Sequence, residues 1–193
     1  YKGKVVFVQL AAPSRTHIKR YHDLMGEIDE LIEKTNWKHS DTNWQPIIYL
    51  KRHFPPEEIL PYYKLADFCI VSSLHDGMNL VAKEFVASRE DHHGVLILSR
   101  FAGASHELTD ALAVNPYDTE QLAASIRQAL EMWPEERRLR MQRMRATVRE
   151  HLIEALVGLL VVLVAVWFIY MAWQRTGDGA GRGAIHVIAL FPN

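Results

Sequence analysis

A glycine-containing loop that runs directly into a helical pattern is the part of this sequence best suited to chemistry. The loop reads LHDGMN at residues 74–79, and the helical segment LVAKEFVAS follows from Leu80. A helix N-terminus offers unpaired amides and the positive end of a dipole, so it favours an anion such as a diphosphate. Further into the helix, the carboxylate of Glu84 could accept hydrogen bonds from two neighbouring hydroxyl groups. An ordinary capped turn with a solvated glutamate is the alternative that these residues leave open.

Strand and helix patterns alternate on both sides of this loop. Apolar runs of strand length occupy residues 4–10, 46–50, 68–72, 95–99 and 111–114. Helical patterns separate them, and such alternation predicts parallel βαβ units with continuously apolar, buried strands. We therefore expect an α/β fold built on a doubly wound, Rossmann-like parallel sheet.

A cap residue and a proline mark the predicted starts of two helices after the last strand. Asp118 is the expected N-cap of a helix that runs to residue 132, and Pro134 is expected at the first position of an arginine-rich helix.

Ligands bind such sheets at the carboxyl ends of the strands, near a switch in strand order. That rule selects four loops in this sequence: residues 11–15, 51–55, 74–79 and 100–105.

Composition limits the possible partners. The chain has 193 residues, a net charge of -1 and one cysteine. This balance gives no electrostatic reason to expect a nucleic acid partner. A single cysteine excludes an internal disulfide framework and a thiol-based zinc site, and Cys69 lies in an apolar run that predicts a buried structural thiol.

Five short stretches, in order along the chain, carry a family resemblance. They are APSR at 12–15, YLKRHF at 49–54, DGMNLVAKE at 76–84, LSRFAGA at 98–104 and VNPYD at 114–118. Over roughly residues 4–150 the sequence resembles the trehalose-6-phosphate synthases, glycosyltransferase family 20. The DGMNLVAKE string is the most specific part of that resemblance.

The resemblance implies a GT-B arrangement, in which two Rossmann-like domains face each other across a cleft. Residues 1–151 would then be part of the C-terminal domain, which holds UDP-glucose. The implied donor site has Phe54 at the uracil, Asp76, Gly77 and Met78 at the glucose, the amides of Asn79, Leu80 and Val81 at the diphosphate, and Glu84 at the ribose.

The implied reaction is retaining transfer of glucose from UDP-glucose to glucose 6-phosphate, without a metal or other cofactor. Asp76 and Arg15 are the implied catalytic residues, with Arg15 reaching the acceptor's phosphate through its guanidinium fork. Positive groups and helix dipoles would stabilise the departing diphosphate.

The resemblance also predicts parts that this sequence does not contain. The chain opens at Tyr1 rather than Met, so we expect it to start inside a longer reading frame. The family's acceptor domain and its GRLD...KG segment, which grips the diphosphate, would precede that residue.

The last part of the chain has a different character. Residues 155–173 contain no charged side chain, and a helix of that length spans roughly 28 Å, close to the thickness of a bilayer core. We expect a transmembrane helix at residues 152–174 and a Gly-rich tail at 175–193. A fully buried core helix is the alternative.

Flanking charge predicts the orientation and location of the chain. Six arginines precede the apolar segment, at positions 137, 138, 140, 143, 145 and 149, and two follow it. The positive-inside rule places the N-terminal part in the cytoplasm, with the C-terminal helix as a single-pass anchor. The arginines also fit the solvated face of a soluble helix. A membrane-tethered binding module without catalysis, and a homo-oligomer, are the other possibilities that we carry forward.

Overall fold

The computed structural model of the chain describes residues 1–12 and 19–177. They fall into two compact units, Tyr1–Asp67 and a second that begins at Phe68. The first unit contains β1 (Phe7–Leu10), α1 (Lys19–His39), β2 (Ile47–Leu50) and α2 (Pro56–Leu65). The second contains β3 (Phe68–Val71), α3 (Leu80–Ser88), β4 (Val95–Ser99), a 3-10 helix (Gly103–His106), β5 (Leu112–Val114), α4 (Thr119–Glu131) and α5 (Pro134–Gly177).

The first unit is a small parallel βαβ arrangement. Strands β1 and β2 pair in parallel, and Asn36 near the end of α1 binds both the N–H and the C=O of Ile47 at 3.0 Å. Strand β1 begins later than predicted, because Lys4 donates to the carbonyl of Tyr1 in a turn. It is also less buried than predicted, since Phe7 is 42% exposed and has only one neighbouring strand.

The second unit holds the main hydrophobic core. Its sheet has the parallel order β3-β4-β5, and all five residues of β4 are buried. Helix α4 packs on this sheet, with Asp118 as its N-cap as predicted, accepting from the Gln121 amide at 2.9 Å. Burial raises the pKa of the Cys69 thiol in β3 to about 12, as expected for a structural cysteine.

The predicted α/β class with parallel strands is confirmed, but the described residues form two sheets and not one continuous ladder. Strands β2 and β3 follow each other in the chain and do not pair.

One continuous helix, α5, replaces the two helices that the sequence predicts for its C-terminal part. It begins at Pro134, as predicted, and its first turns pack on α3 and β4 through Met141 and Met144, which are buried. All side chains at residues 149–154 and 156–170 are exposed. The alternative of a buried core helix therefore does not describe this segment.

The arginines of α5 are not simply a solvated face. Arg137 donates to the carbonyls of Ala129, Leu130 and Met132 at 2.9–3.1 Å. These carbonyls lie at the C-terminal end of α4, where helical carbonyls lack intrahelical partners. A cation at this end also complements the helix dipole. Arg137 thus fastens α4 to the start of α5.

Because Arg137 caps α4, replacing it should destabilise the chain more than replacing the adjacent Arg138. Arg137→Met should lower the free energy of unfolding by about 1.5–3 kcal/mol, because it leaves carbonyls without a charged donor. Arg138→Met removes only an exposed ion pair with Glu135 and should cost about 0–1 kcal/mol. Chemical denaturation of the full chain in detergent, followed by circular dichroism, measures both. Equal losses would contradict the capping role.

Candidate functional site

Two of the four loops selected from the sequence meet at the carboxyl edge of the second unit. Loop 74–79 follows β3, and loop 100–105 follows β4. The parallel pairing of these strands extends past their ends through a bridge between Asp76 and Ala102. Both loops therefore lie where parallel α/β sheets bind their ligands.

Three backbone hydrogen bonds join the two loops. Gly103 N donates to Asp76 O at 2.9 Å, and Ala104 N donates to Met78 O at 3.0 Å. Asp76 N donates in the other direction, to Phe101 O at 3.4 Å. Loop 100–105 therefore fixes the path of the chain through residues 76–78.

Gly103 allows the two loops to come this close. A Cβ at this position would lie 1.8 Å from the carbonyl oxygen of Gly77, a distance that no pair of unbonded heavy atoms can adopt. A Cβ on Gly77 would meet nothing within 4 Å. The space over Gly77 is thus open, whereas the space at Gly103 is filled by the neighbouring backbone.

The carboxylate of Asp76 organises the loop from within. Its Oδ1 accepts from the amides of Met78 at 3.3 Å and Asn79 at 2.9 Å, and its Oδ2 accepts from Asn79 Nδ2 at 2.9 Å. Short polar side chains commonly fold a turn by bonding to the backbone two or three residues ahead. Both oxygens of Asp76 are thereby engaged with the loop that they shape.

Asn79 connects this loop to the start of α3. Its backbone is left-handed, with φ of 61°, a conformation that asparagine tolerates better than most residues. Its Oδ1 caps the helix by accepting from Ala82 N at 2.9 Å, and its Nδ2 also reaches Ser73 Oγ at 3.2 Å. The side chain is 7% exposed, so this cap is a fixed part of the unit.

The cap leaves two amides open at the N-terminus of α3. Within the described part of the chain, the N–H groups of Leu80 and Val81 have no acceptor. The amide of Asn79, which the resemblance also assigns to the diphosphate, already donates to Asp76. Of the three amides that the resemblance assigns to the diphosphate, those of Leu80 and Val81 are therefore open in this structure, and that of Asn79 is engaged within the loop.

Side chains around these amides form the rest of the predicted site in the second unit. Glu84 is exposed on α3, one turn beyond Leu80. A chain of rings borders the loop, in which His75 and Phe101, and then Phe101 and Tyr117, have centroids 6.0 Å apart. The sequence assigned no role to Phe101 or Tyr117, although both lie within matched stretches after β4 and β5.

The remaining predicted site residues lie elsewhere. Phe54 belongs to the first unit, where it is 6% exposed, with the Arg52 guanidinium 3.9 Å from its ring centroid and Tyr62 at its edge. Its ring face is therefore covered by Arg52. Arg15 lies outside the described residues. In residues 1–12 and 19–177, no group of three or more His, Cys, Asp or Glu side chains is arranged to hold a metal ion.

Solved structures with this fold define the class of protein. A chain from E. coli, bound with UDP-2-fluoro glucose, superposes with a TM-score of 0.76 at 37% identity, covering 81% of this chain and 36% of that one. A UDP-forming α,α-trehalose-phosphate synthase from Burkholderia xenovorans, in complex with glucose-6-phosphate, gives 0.75 at 37% identity, covering 77% and 33%. The chain thus shares its fold with part of the trehalose-phosphate synthases, which are glycosyltransferases.

Sequence relatives identify the family. A bifunctional trehalose-6-phosphate synthase/phosphatase from Thermoproteus tenax is 43% identical over 152 residues, which is 78% of this chain and 21% of the relative. A UDP-forming α,α-trehalose-phosphate synthase from Candida albicans is 45% identical over 136 residues, 70% of this chain and 28% of the relative. The profile of glycosyltransferase family 20 matches residues 1–156, and the chain belongs to this family. It spans only 21% and 28% of the length of these two relatives.

The close approach at Gly103 predicts that two glycine substitutions differ in their effect on the free energy of unfolding. Gly103→Ala should lower the free energy of unfolding by about 1–3 kcal/mol, because the added methyl group pushes the Gly77 carbonyl aside. Gly77→Ala places its methyl group in open space and should change it by no more than about 0.5 kcal/mol. Denaturant unfolding of both variants tests this. A Gly103 variant as stable as the parent chain would show that the loops do not touch as described.

Proposed function

We propose that this chain supplies the UDP-glucose site of a UDP-forming α,α-trehalose-phosphate synthase. The observation that carries the proposal is the capped start of α3, where the amides of Leu80 and Val81 are open beside Gly77. A relative of the same fold is bound with UDP-2-fluoro glucose, which supports a nucleotide-sugar ligand. Trehalose biosynthesis is the process to which the relatives' names point.

In this proposal the diphosphate of UDP-glucose binds at the start of α3. Two amides and the positive end of the helix dipole are a suitable environment for its negative charge. The glucose would occupy the open space over Gly77, next to Met78, and the ribose hydroxyls would bind Glu84. The family resemblance assigns the uracil to Phe54, and the Arg52 guanidinium lies 3.9 Å from the centroid of that ring.

The proposed reaction is transfer of glucose with retention at its anomeric carbon. The bond from that carbon to UDP breaks, and the anomeric oxygen of glucose 6-phosphate forms the new bond on the same face. The acceptor's proton leaves with the departing diphosphate. The contribution of this chain is to stabilise negative charge on that leaving group through the Leu80 and Val81 amides, an electrostatic role that needs no metal. Arg15 would bind the phosphate of glucose 6-phosphate.

We further propose that Asp76 acts by shaping the donor site and not by transferring a proton. Both of its oxygens already accept hydrogen bonds from loop residues, at distances of 2.9–3.3 Å. The carboxylate thereby sets the turn that exposes Gly77 to the glucose and directs Asn79 to cap α3. Asp76 is in this sense a positioning residue.

The complete enzyme would have the GT-B arrangement, with this chain as part of its C-terminal domain. Glucose 6-phosphate bound to a relative of the same fold supports the identity of the acceptor. A membrane-tethered module that binds the nucleotide sugar without transferring it is the second candidate. A glucosyl-transfer assay on the complete protein, with UDP-glucose and glucose 6-phosphate, distinguishes the two. We expect this chain by itself to be inactive, because the resemblance assigns acceptor binding mostly to a separate domain.

We also propose that α5 anchors the chain in a membrane. Helix α5 is the one helix among the described residues that is long and apolar enough to cross a bilayer. The side chains at 156–170 are exposed around the whole helix, which is costly in water and favourable in lipid. The excess of arginines before this segment supports a cytoplasmic position for the enzyme part. Arg137 and Arg145 bind carbonyls at helix ends. The positive charge that counts for orientation therefore comes mainly from other arginines, such as Arg138 and Arg149.

Calorimetric titration of UDP into the chain tests the donor site directly. The parent chain should bind UDP, and Glu84→Gln should raise the dissociation constant about tenfold or more. The reason is that a hydrogen bond to a charged partner contributes roughly 1.5–3 kcal/mol. Glu90→Gln is the matched control, since Glu90 is also exposed but follows the C-terminal end of α3. No binding by the parent would refute the site, and equal binding by both variants would refute the ribose role of Glu84.

Removal of residues 152–193 tests the membrane anchor. The full chain should sediment with membranes and resist extraction with alkaline carbonate, because its apolar helix would be held in the bilayer core. The shortened chain should stay in the supernatant. Equal distribution of both chains between the two fractions would contradict the anchor.

A further inference from the structure

One ion pair joins the first turn of α3 to the residue that follows the 3-10 helix. Lys83 Nζ lies 3.0 Å from Glu107 Oε1 and 2.7 Å from Oε2, so it contacts both oxygens of the carboxylate. The two residues are 24 positions apart in the chain, and their side chains are 21% and 31% exposed. Water and salt screen a partly buried pair less than an exposed one. The contact is therefore a tertiary connection between two elements and not a local pair on one helix surface.

Buried neighbours hold the backbone at both ends of this ion pair. Ala82, which precedes Lys83, and Leu108, which follows Glu107, are both buried. Leu108 N also donates to Ala104 O at 2.8 Å, which fixes the chain after the 3-10 helix. Because the backbone is already fixed at each end, the two side chains lose less conformational entropy on pairing than two chains on a mobile surface.

The ion pair is the second connection between α3 and the same neighbouring segment. Backbone hydrogen bonds already join residues 76–78 to residues 103–104, on the N-terminal side of the helix cap. The pair of Lys83 and Glu107 makes the other connection, on the C-terminal side of the cap. The two open amides of α3 lie in the chain between these connections. Their orientation therefore depends on a segment that is held at both ends.

We propose that Lys83 and Glu107 are positioning residues for the donor site, and that their ion pair holds the amides of Leu80 and Val81 in the orientation that binds a nucleoside diphosphate. The inference rests on the proposed UDP-glucose site and adds two residues outside those assigned to the ligand. Helix ends fray readily, so a connection in the first turn lowers the cost of ordering it when an anion binds. Lys83 acts through the backbone of α3, because its ammonium group is bound to Glu107.

A second ion pair in the same unit provides a matched control. Arg143 Nη1 lies 3.4 Å from Asp110 Oδ1, and this pair joins α5, not α3, to the chain after the 3-10 helix. His151 of α5 also approaches Glu107, with Nε2 at 3.7 Å from Oε2, but it is 48% exposed and beyond hydrogen-bonding distance. Replacing Arg143 or His151 therefore leaves the connection to α3 intact.

Calorimetric titration of UDP into the full chain in detergent measures the effect on binding. Lys83→Met should raise the dissociation constant about threefold or more, and Lys83→Arg should restore most of the affinity because it keeps the ion pair. Arg143→Met and His151→Gln should change the constant by less than about 1.5-fold. A Lys83→Met variant that binds UDP as tightly as the parent chain would overturn the inference alone. A parent chain that does not bind UDP would refute the proposed donor site and this inference with it.

The double variant Lys83→Met/Glu107→Gln separates positioning from a simple charge effect. It removes one positive and one negative charge, so an effect of charge alone would largely cancel and leave an affinity close to that of the parent. Loss of the connection predicts instead that the double variant binds UDP as weakly as Lys83→Met, since both lack the same contact. An affinity close to that of the parent would overturn the inference.

Hydrogen exchange without UDP tests the connection independently of the ligand. The amide of Ala82, which donates to the Asn79 cap, and the amides of residues 83 and 84 should exchange about threefold faster or more in Lys83→Met. The amides of β4 should exchange as in the parent chain, because the core of the sheet is unchanged. Equal acceleration in β4 would show a general loss of stability and would contradict a positioning role.

Discussion

The arrangement of the candidate site depends on one backbone contact, the close approach of Gly103 to the Gly77 carbonyl. It allows loop 100–105 to hydrogen bond with loop 74–79, and those bonds fix the position of Asp76. The Asp76 carboxylate in turn sets the left-handed conformation of Asn79, whose side chain caps α3. The two amides of Leu80 and Val81 are open only because the preceding residues satisfy one another. The proposed anion site thus depends on the absence of a side chain at Gly103, in a different loop.

The two halves of α5 are stabilised by different interactions. In the first half, Met141 and Met144 are buried, while Arg137 and Arg145 bind the carbonyl ends of α4 and α3. Those contacts combine hydrophobic burial with charged hydrogen bonds, both of which favour folding in water. In the second half, the side chains at residues 156–170 are all exposed. Its backbone bonds are satisfied internally, so it is stable wherever its apolar side chains can leave water.

Much of this structure could be predicted from the sequence, because periodicity and cap signals are local. Asp118 as an N-cap, Pro134 at a helix start and β4 as a buried strand all follow from neighbouring residues. The ligand-binding loops followed from the rule on carboxyl ends. Long-range contacts could not be predicted in this way. Nothing local shows that Gly103 meets Gly77, that the Asn79 amide is already used, or that Arg137 reaches back across a turn to α4. The family resemblance supplied Gly77, Asn79 and Gly103 as parts of matched stretches, without their contacts.

The continuity of α5 has a mechanical consequence. A helix with no proline or glycine between Pro134 and Gly158 has no obvious place to bend, and Gly158 is the one such position before residue 171. Transmembrane helices adjust their tilt to the thickness of the surrounding bilayer. Because the first turns of α5 are bound to α3 and α4, a change in the tilt of the helix would rotate the second unit with it. If α5 spans a membrane as proposed, the orientation of the second unit relative to the bilayer would therefore depend on the thickness of the lipid.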